Sequence, residues 1–227
     1  MTLANRINQV LYGGSPYDGV DAASHPFDLQ GWCDAPEVFD RLIDRFQPRL
    51  IIEVGSWKGT SAHYMIKRAL LHKDDAAIIC IDTWLGSTEH WLYPKMREML
   101  KLRHGRPTLH EQFMANVVHA GLQEHVVPVP LPSRLASMVL AEIRLGGDAL
   151  LSPLVYIDGA HDEASVREDI AAWWPFVAPG GIMLGDDYAP PWTGVINAAA
   201  RFRSEHAGEI CDTGDFGTSW FAQKNAT

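Results

Sequence analysis

Cysteine is scarce in this chain of 227 residues, and the scarcity is informative. Cys33, Cys80 and Cys211 form neither an even set nor a closely spaced pair, which argues against a disulfide framework and against a cysteine-built zinc site. No apolar run approaches the ~20 residues of a membrane-spanning helix, so no membrane partner is expected. The opening MTLANRINQVLYGG lacks the basic-then-apolar pattern of a signal peptide, which makes the cytoplasm the expected location. Positive charge is short as well: 19 Lys and Arg stand against 28 Asp and Glu, a net charge of −9. Duplex-binding proteins carry a basic stripe that neutralises phosphates. The nearest stretch here, Lys95 to Arg106, is broken by methionine and leucine and reads as a solvated helical face. No nucleic-acid partner is expected.

What is present is an ordinary globular balance, 47 % hydrophobic and 21 % charged, in a chain long enough for one sizeable domain. Amphipathic periodicity predicts helices over 35–46, 59–71, 109–120, 134–145, 163–176 and 194–202. Short apolar, β-branched runs predict strands over 50–54, 76–82, 126–129, 150–157 and 182–185, the last entered through Pro179-Gly180-Gly181. Two more strands are expected near 209–212 and 219–223. Alternating strands and helices imply an α/β fold with helices on both faces of a parallel sheet. The last two strands lie too close together for a parallel crossover, so they are antiparallel.

Two regions fall outside this pattern. Residues 1–34 form a Gly/Pro/aromatic-rich arm, expected to cap the active site of a domain spanning 35–227. Residues 84–107 are too many for a bare connection and are a candidate lid. Trp32, Trp84, Trp91 and Trp192 lie in or beside such loops, where aromatic rings often form ligand platforms. Trp173, Trp174 and Trp220 read as core.

Glu53-Val54-Gly55-Ser56-Trp57-Lys58-Gly59-Thr60-Ser61 links a strand to a helix. Gly55 lets the backbone turn and leaves room for a ligand, Gly59 allows close packing, and exposed N–H groups suit a polar ligand group. The dinucleotide G-x-G-x-x-G and the phosphate-loop Gly-Lys-Ser/Thr are both absent. Asp82 ends the next strand, where an acidic residue can hold ribose hydroxyls; a plain loop aspartate is the ordinary alternative. Asp158, Asp186 and Asp187 follow two strands expected to be neighbours. Three carboxylates without a basic partner repel unless they are dispersed, protonated or holding a cation, and hard oxygen ligands suit Mg²⁺, Mn²⁺ or Ca²⁺. Each alone reads equally well as a cap or turn residue. His161 lies three residues after Asp158, where an imidazole is useful as a base. Ser133 reads first as a helix cap, with an adenine contact as the functional alternative.

Four motifs in order, EVGSWKGTSA, CIDTW, VYIDGAH and PGGIMLGDDY, resemble class I S-adenosylmethionine-dependent methyltransferases. More narrowly, the chain is similar over roughly residues 48–223 to metal-dependent O-methyltransferases of the catechol, macrolide-sugar and aminocoumarin-sugar types. The resemblance implies a Rossmann-like, doubly wound sheet of seven strands, mostly parallel with an antiparallel last strand. It implies S-adenosylmethionine held by Glu53, Gly55, Ser56, Gly59, Thr60, Ser61, Asp82, Thr83, Trp84, Ser133 and Asp158. It makes Asp158, Asp186 and Asp187 the ligands of Mg²⁺ (or Mn²⁺ or Ca²⁺), and His161, with Asp158, the catalytic residues. The catechol enzyme carries a lysine near the equivalent turn, so the histidine points to a small-molecule hydroxyl acceptor, a sugar or glycoside. A homodimer is compatible with the sequence. Two other functions fit the same fold: an antibiotic-type hydroxylase and a non-catalytic S-adenosylmethionine-binding protein. The first needs two histidines and one carboxylate around iron, whereas these ligands are all carboxylates. The second sits poorly with intact Asp158, His161, Asp186 and Asp187.

Overall fold

The computed structural model describes all residues except Gly31, Trp32, Asp34 and Ala35, so the platform expected at Trp32 lies outside the described residues. Strands β1 (Leu50–Val54) and β2 (Ala77–Ile81) are buried along their whole length, as apolar strands covered on both faces are. With β3 (Val126–Val129), β4 (Ser152–Ile157), β5 (Val177–Gly185), β6 (Ile210–Phe216) and β7 (Ser219–Lys224) they form one seven-stranded sheet of order β3-β2-β1-β4-β5-β7-β6. The first five run parallel, and β7 is antiparallel to both β5 and β6. The α/β, doubly wound fold class expected from the sequence is the one observed.

Helices α1 (Leu3–Tyr12), α2 (Pro36–Phe46), α3 (Thr60–Ala69), α4 (Thr88–Leu92), α5 (Pro94–Arg97), α6 (Leu109–His119), α7 (Ser133–Ala141), α8 (Glu163–Trp173) and α9 (Thr193–Glu205) surround it. Alternation along the strands divides the core. Ile52 and Val54 pack with α1, α7, α8 and α9, while Ile51 packs with α2, α3 and α6. None of the described helices is long and apolar enough to cross a membrane.

Register positions the chemistry. Val54 pairs with both Ile81 and Ile157, and Ile157 pairs with Gly185. The residues that follow, Gly55, Asp82, Asp158 and Asp186, therefore leave the sheet at one level on its carboxyl edge. The strand order reverses at β1, between β2 and β4, which is where open α/β sheets bind ligands.

Several boundaries differ from expectation for local reasons. The helix expected over 134–145 stops at Ala141, because Gly146 and Gly147, both at positive φ, turn a short hairpin of Arg144–Leu145 with Asp148–Ala149. Pro175 converts the end of the 163–176 helix into a 3₁₀ turn. Pro179-Gly180-Gly181 lies inside β5, opposite the point where the register with β4 shifts, rather than before it.

The N-terminal arm seals an edge of the sheet. Among the described residues β3 pairs only with β2, and its outward carbonyls would otherwise be bare. The Tyr17 hydroxyl donates to Val126 O at 3.1 Å and the Tyr12 hydroxyl donates to Pro128 O, while Leu3, Ala4 and Ile7 bury against the sheet. Farther along, Lys58 Nζ pairs with Asp28 at 2.7 Å and Thr60 Oγ1 donates to Leu29 O. Among the described residues none of 1–34 lines the cavity at the strand ends.

Candidate active site

A cavity of about 700 Å³ opens at the carboxyl edge of β1, β2, β4 and β5, within the size range of small-molecule sites. Of the residues expected to hold a cofactor, Gly55, Ser56, Thr60, Ser61, Asp82, Thr83, Ser133 and Asp158 line it. Glu53, Gly59 and Trp84 do not. Gly59 (φ 90°) turns into α3 against the Phe113 ring, which a Cβ would approach to 3.0 Å. Trp84 is core: it packs between His110 and Phe113, and its Nε1–H donates to Trp57 O at 2.6 Å.

Gly55 is required for a reason the sequence did not reveal. A Cβ there would lie 1.9 Å from the Asp158 carbonyl oxygen, so the missing side chain makes room for the β4 turn. Asp82 is held rigidly: one carboxylate oxygen accepts the Trp57 N–H at 2.8 Å and the other the Trp84 N–H at 2.7 Å. The backbone N–H groups of Ser56 and Thr83 also help to hold its charge. Ser133 is the first residue of α7 rather than its cap; its Oγ accepts the Trp173 Nε1–H at 2.8 Å and interacts with Asp169. Burial pushes the Asp169 carboxyl up to about 6.

Glu53 points from β1 towards α3, fully buried beneath the cavity, and receives the hydroxyls of Ser56 at 2.6 Å and Ser61 at 2.5 Å. Burial pushes its carboxyl up to about 7 despite those donors. Between pH 4.5 and about 7 the folded protein therefore keeps a proton that the unfolded chain has lost. That contribution is complete at low pH and disappears as pH rises through the folded value, a swing of ~3 kcal/mol. Glu53→Gln, which cannot ionise, is expected to flatten this part of the stability-versus-pH curve measured by denaturant unfolding between pH 4.5 and 8. An unchanged slope would show that Glu53 is ionised throughout.

The three carboxylates expected to bind a metal do not share one centre. The Tyr156 hydroxyl bridges Asp158 at 3.3 Å and Asp186 at 2.8 Å, and Ser219 Oγ donates to Asp186 at 3.2 Å. Asp187 (φ 57°) turns away to meet His161 Nε2 at 2.8 Å. Asp158 and Asp186 share the one Tyr156 hydroxyl, Asp187 lies against His161, and among the described residues no group of three or more His, Cys, Asp or Glu is arranged to hold a cation. Their chemistry still suits one. Burial first, then the charges of Asp186 and Asp187, push Asp158 well above the usual carboxylate range; Asp186 is also raised, chiefly by burial. Neither Lys nor Arg lines the cavity.

His161 lies over the same edge, its ring stacked on Trp192 with centroids 4.0 Å apart. Gly194, at the start of α9, allows that approach: a Cβ would come within 2.4 Å of His161 O. The segment 84–107 folds into α4, α5 and a 3₁₀ turn, and Ser87, Glu89, His90 and Met96 form one wall of the cavity. Sequence reasoning missed Asp169, Glu89 and His90. Ser87-x-x-His90 spaces a capping serine and its partner as a capping box does, a usable signal had Glu or Gln stood at the last position.

Residues 52–188, more than half of the chain, match the family described as a methyltransferase domain. The chain belongs to this family. Solved structures agree on the fold of this methyltransferase. An O-methyltransferase from Bacillus cereus in complex with SAH is 10 % identical at a TM-score of 0.59, covering 98 % of both chains. TomG, an O-methyltransferase from Streptomyces achromogenes involved in tomaymycin synthesis, in complex with SAM, is 14 % identical at 0.59, covering 98 % of this chain and 95 % of its own. CalS11, a calicheamicin methyltransferase, is 17 % identical at 0.59, covering 83 % and 77 % respectively. No curated protein matches the sequence. The resemblance read from the four motifs is thus borne out in family and fold.

Proposed function

We propose that this methyltransferase moves a methyl group from S-adenosylmethionine to a hydroxyl of a neutral or basic small molecule, a sugar or glycoside, with a divalent cation assisting. The observation that carries the proposal is His161, braced by Asp187 and Trp192 on the edge that also presents Asp82 and the Gly55 turn. Asp82 would take the ribose hydroxyls, and Ser133 lies where an adenine contact is expected.

The donor must present an electrophilic methyl, which the sulfonium does by itself; the protein supplies orientation and a base. A neutral ring with its proton on Nε2 would turn that proton towards Asp187, 2.8 Å away, and leave Nδ1 with the lone pair. His161 Nδ1 has no partner among the described residues. It would take the acceptor's proton as the new O–CH₃ bond forms and the S–CH₃ bond breaks, with Asp187 stabilising the resulting imidazolium. Asp158 and Asp186, with the Asp187 oxygen that does not meet His161, would hold Mg²⁺, Mn²⁺ or Ca²⁺, and such an ion would lower the pKa of a coordinated hydroxyl.

Charge narrows the acceptor. Asp82, Glu89, Asp158, Asp169, Asp186 and Asp187 line the cavity with no Lys or Arg among the lining residues. A nucleotide diphosphate would be repelled there, so a neutral or basic acceptor is favoured over an activated sugar such as the TDP-rhamnose of the CalS11 reaction.

The experiment is a panel of methyl glycosides, aminoglycosides and TDP-sugars incubated with S-adenosylmethionine and Mg²⁺, read by mass spectrometry. Methylated neutral or basic glycosides, with activity lost in excess chelator and restored by Mg²⁺, are expected. A hydroxylated product, or cofactor binding without any methylated product, would replace the reading with one of its rivals. Full activity in chelator would mean that the carboxylates work without a cation.

A further inference from the structure

We propose that His90 is a fixed hydrogen-bond donor for the acceptor, its Nε2–H receiving a second oxygen of the same molecule beside the one methylated. The inference rests on the proposed O-methyl transfer and narrows its substrate class to di- or polyoxygenated molecules, of which a sugar diol is the simplest.

The local sequence fixes the ring. Ser87 is the N-cap of α4, and its backbone N–H donates to His90 Nδ1 at 3.2 Å, with Ser87 Oγ 2.8 Å from the same nitrogen. Nδ1 is therefore the lone-pair nitrogen, and a neutral ring must carry its proton on Nε2. The ring lies against Trp57, centroids 4.5 Å apart and 31° from coplanar, and the residue is 7 % exposed. Burial lowers the His90 pKa, which keeps the ring neutral near pH 7 and preserves this tautomer.

Nε2 is then a buried donor without an acceptor among the described residues, on a side chain that lines the cavity. Buried donors are rarely left unpaired in native proteins, and a ligand oxygen would complete this one. The neighbourhood says which ligand. Glu89, His90 and His161 line the same cavity, so this wall and the proposed base would meet the same ligand. A donor aimed at the attacking oxygen would lower its nucleophilicity. A donor aimed at a neighbouring oxygen orients the acceptor at no such cost, which is the useful arrangement for a group that cannot accept a proton on that nitrogen.

The test uses the full-length protein with S-adenosylmethionine, the methylated members of a methyl-glycoside panel, and their single-deoxy analogues. His90→Phe keeps the stacking plane and removes the donor. His90→Gln keeps an acceptor for the Ser87 N–H, as in an ordinary capping box, and restores an N–H. His90→Phe is expected to raise the acceptor KM about 10- to 100-fold, the scale of an unpaired buried hydrogen-bonding group, with calorimetric affinity for S-adenosylmethionine unchanged. His90→Gln should recover most of the loss. Wild type should lose the same factor on one deoxy analogue, and His90→Phe should lose nothing further on it. The deoxy series tests wild type alone, so a poorly folded variant cannot hide the answer. An unchanged KM in His90→Phe, deoxy analogues all equal to their parents, or a weakened cofactor affinity would overturn the assignment while leaving O-methyl transfer standing. A panel without a methylated member would overturn both.

Discussion

His161→Ala is expected to lower kcat by roughly 10²–10⁴-fold, the range for a lost general base, with affinity for S-adenosylmethionine unchanged. The size of the effect follows from how the ring is held. Asp187 approaches Nε2 to 2.8 Å and Trp192 supplies a stacking plane at 4.0 Å, so the ring is held in place before any acceptor arrives. That preorganisation disappears with the ring. Trp192→Leu removes the plane but keeps the proton acceptor, so it should cost less, about tenfold, through misalignment alone. Steady-state kinetics on the best glycoside of the panel, paired with cofactor calorimetry, separates the two variants. A His161→Ala enzyme within tenfold of wild type would remove the base from this histidine and leave the carboxylates as the remaining candidates.

The carboxyl-edge constellation was legible because its determinants are local and periodic. Apolar strands ending in Gly55, Asp82, Asp158 and Asp186 can be read one by one, and parallel register then brings their ends to a common level. What escaped depends on contacts far apart in sequence. The arm could have been placed from Pro128, a residue without an N–H that suits an edge strand, but the tyrosines that cover that edge are more than 100 residues away. Trp84 and Trp192 sit in similar loops, yet one is core and the other braces His161, a distinction made only by α6 and α9. The separation of Asp187 from Asp158 and Asp186 was equally invisible, since it turns on a positive φ at Asp187 and on a Tyr156 hydroxyl placed from within β4.

Gly55→Ala is expected to destabilise the protein by about 2–5 kcal/mol, combining the cost of an L-residue at positive φ with that of overpacking. Gly55 has φ 91°, and its new Cβ would meet the Asp158 carbonyl oxygen at 1.9 Å and carbonyl carbon at 2.5 Å. Neither side can yield cheaply. Gly55 N donates to Ile81 O and Asp158 N donates to Val54 O, both at 2.8 Å, so relief of the clash must pull β1 from a neighbouring strand. For a chain of this length such a loss corresponds to a fall in Tm of roughly 4–20 °C. The same displacement moves the Asp158 carboxylate and the three-residue link to His161, where a 1 Å error can cost about 10²-fold in turnover. Gly13→Ala is the control: φ is 72° but a Cβ there meets nothing within 4 Å, so only the backbone cost remains, ~1 kcal/mol. Thermal unfolding and kinetics of the two variants side by side distinguish strain from contact. Equal, small losses in both would mean that the β1 and β4 turns separate freely, and that the cavity floor is far softer than its hydrogen bonds imply.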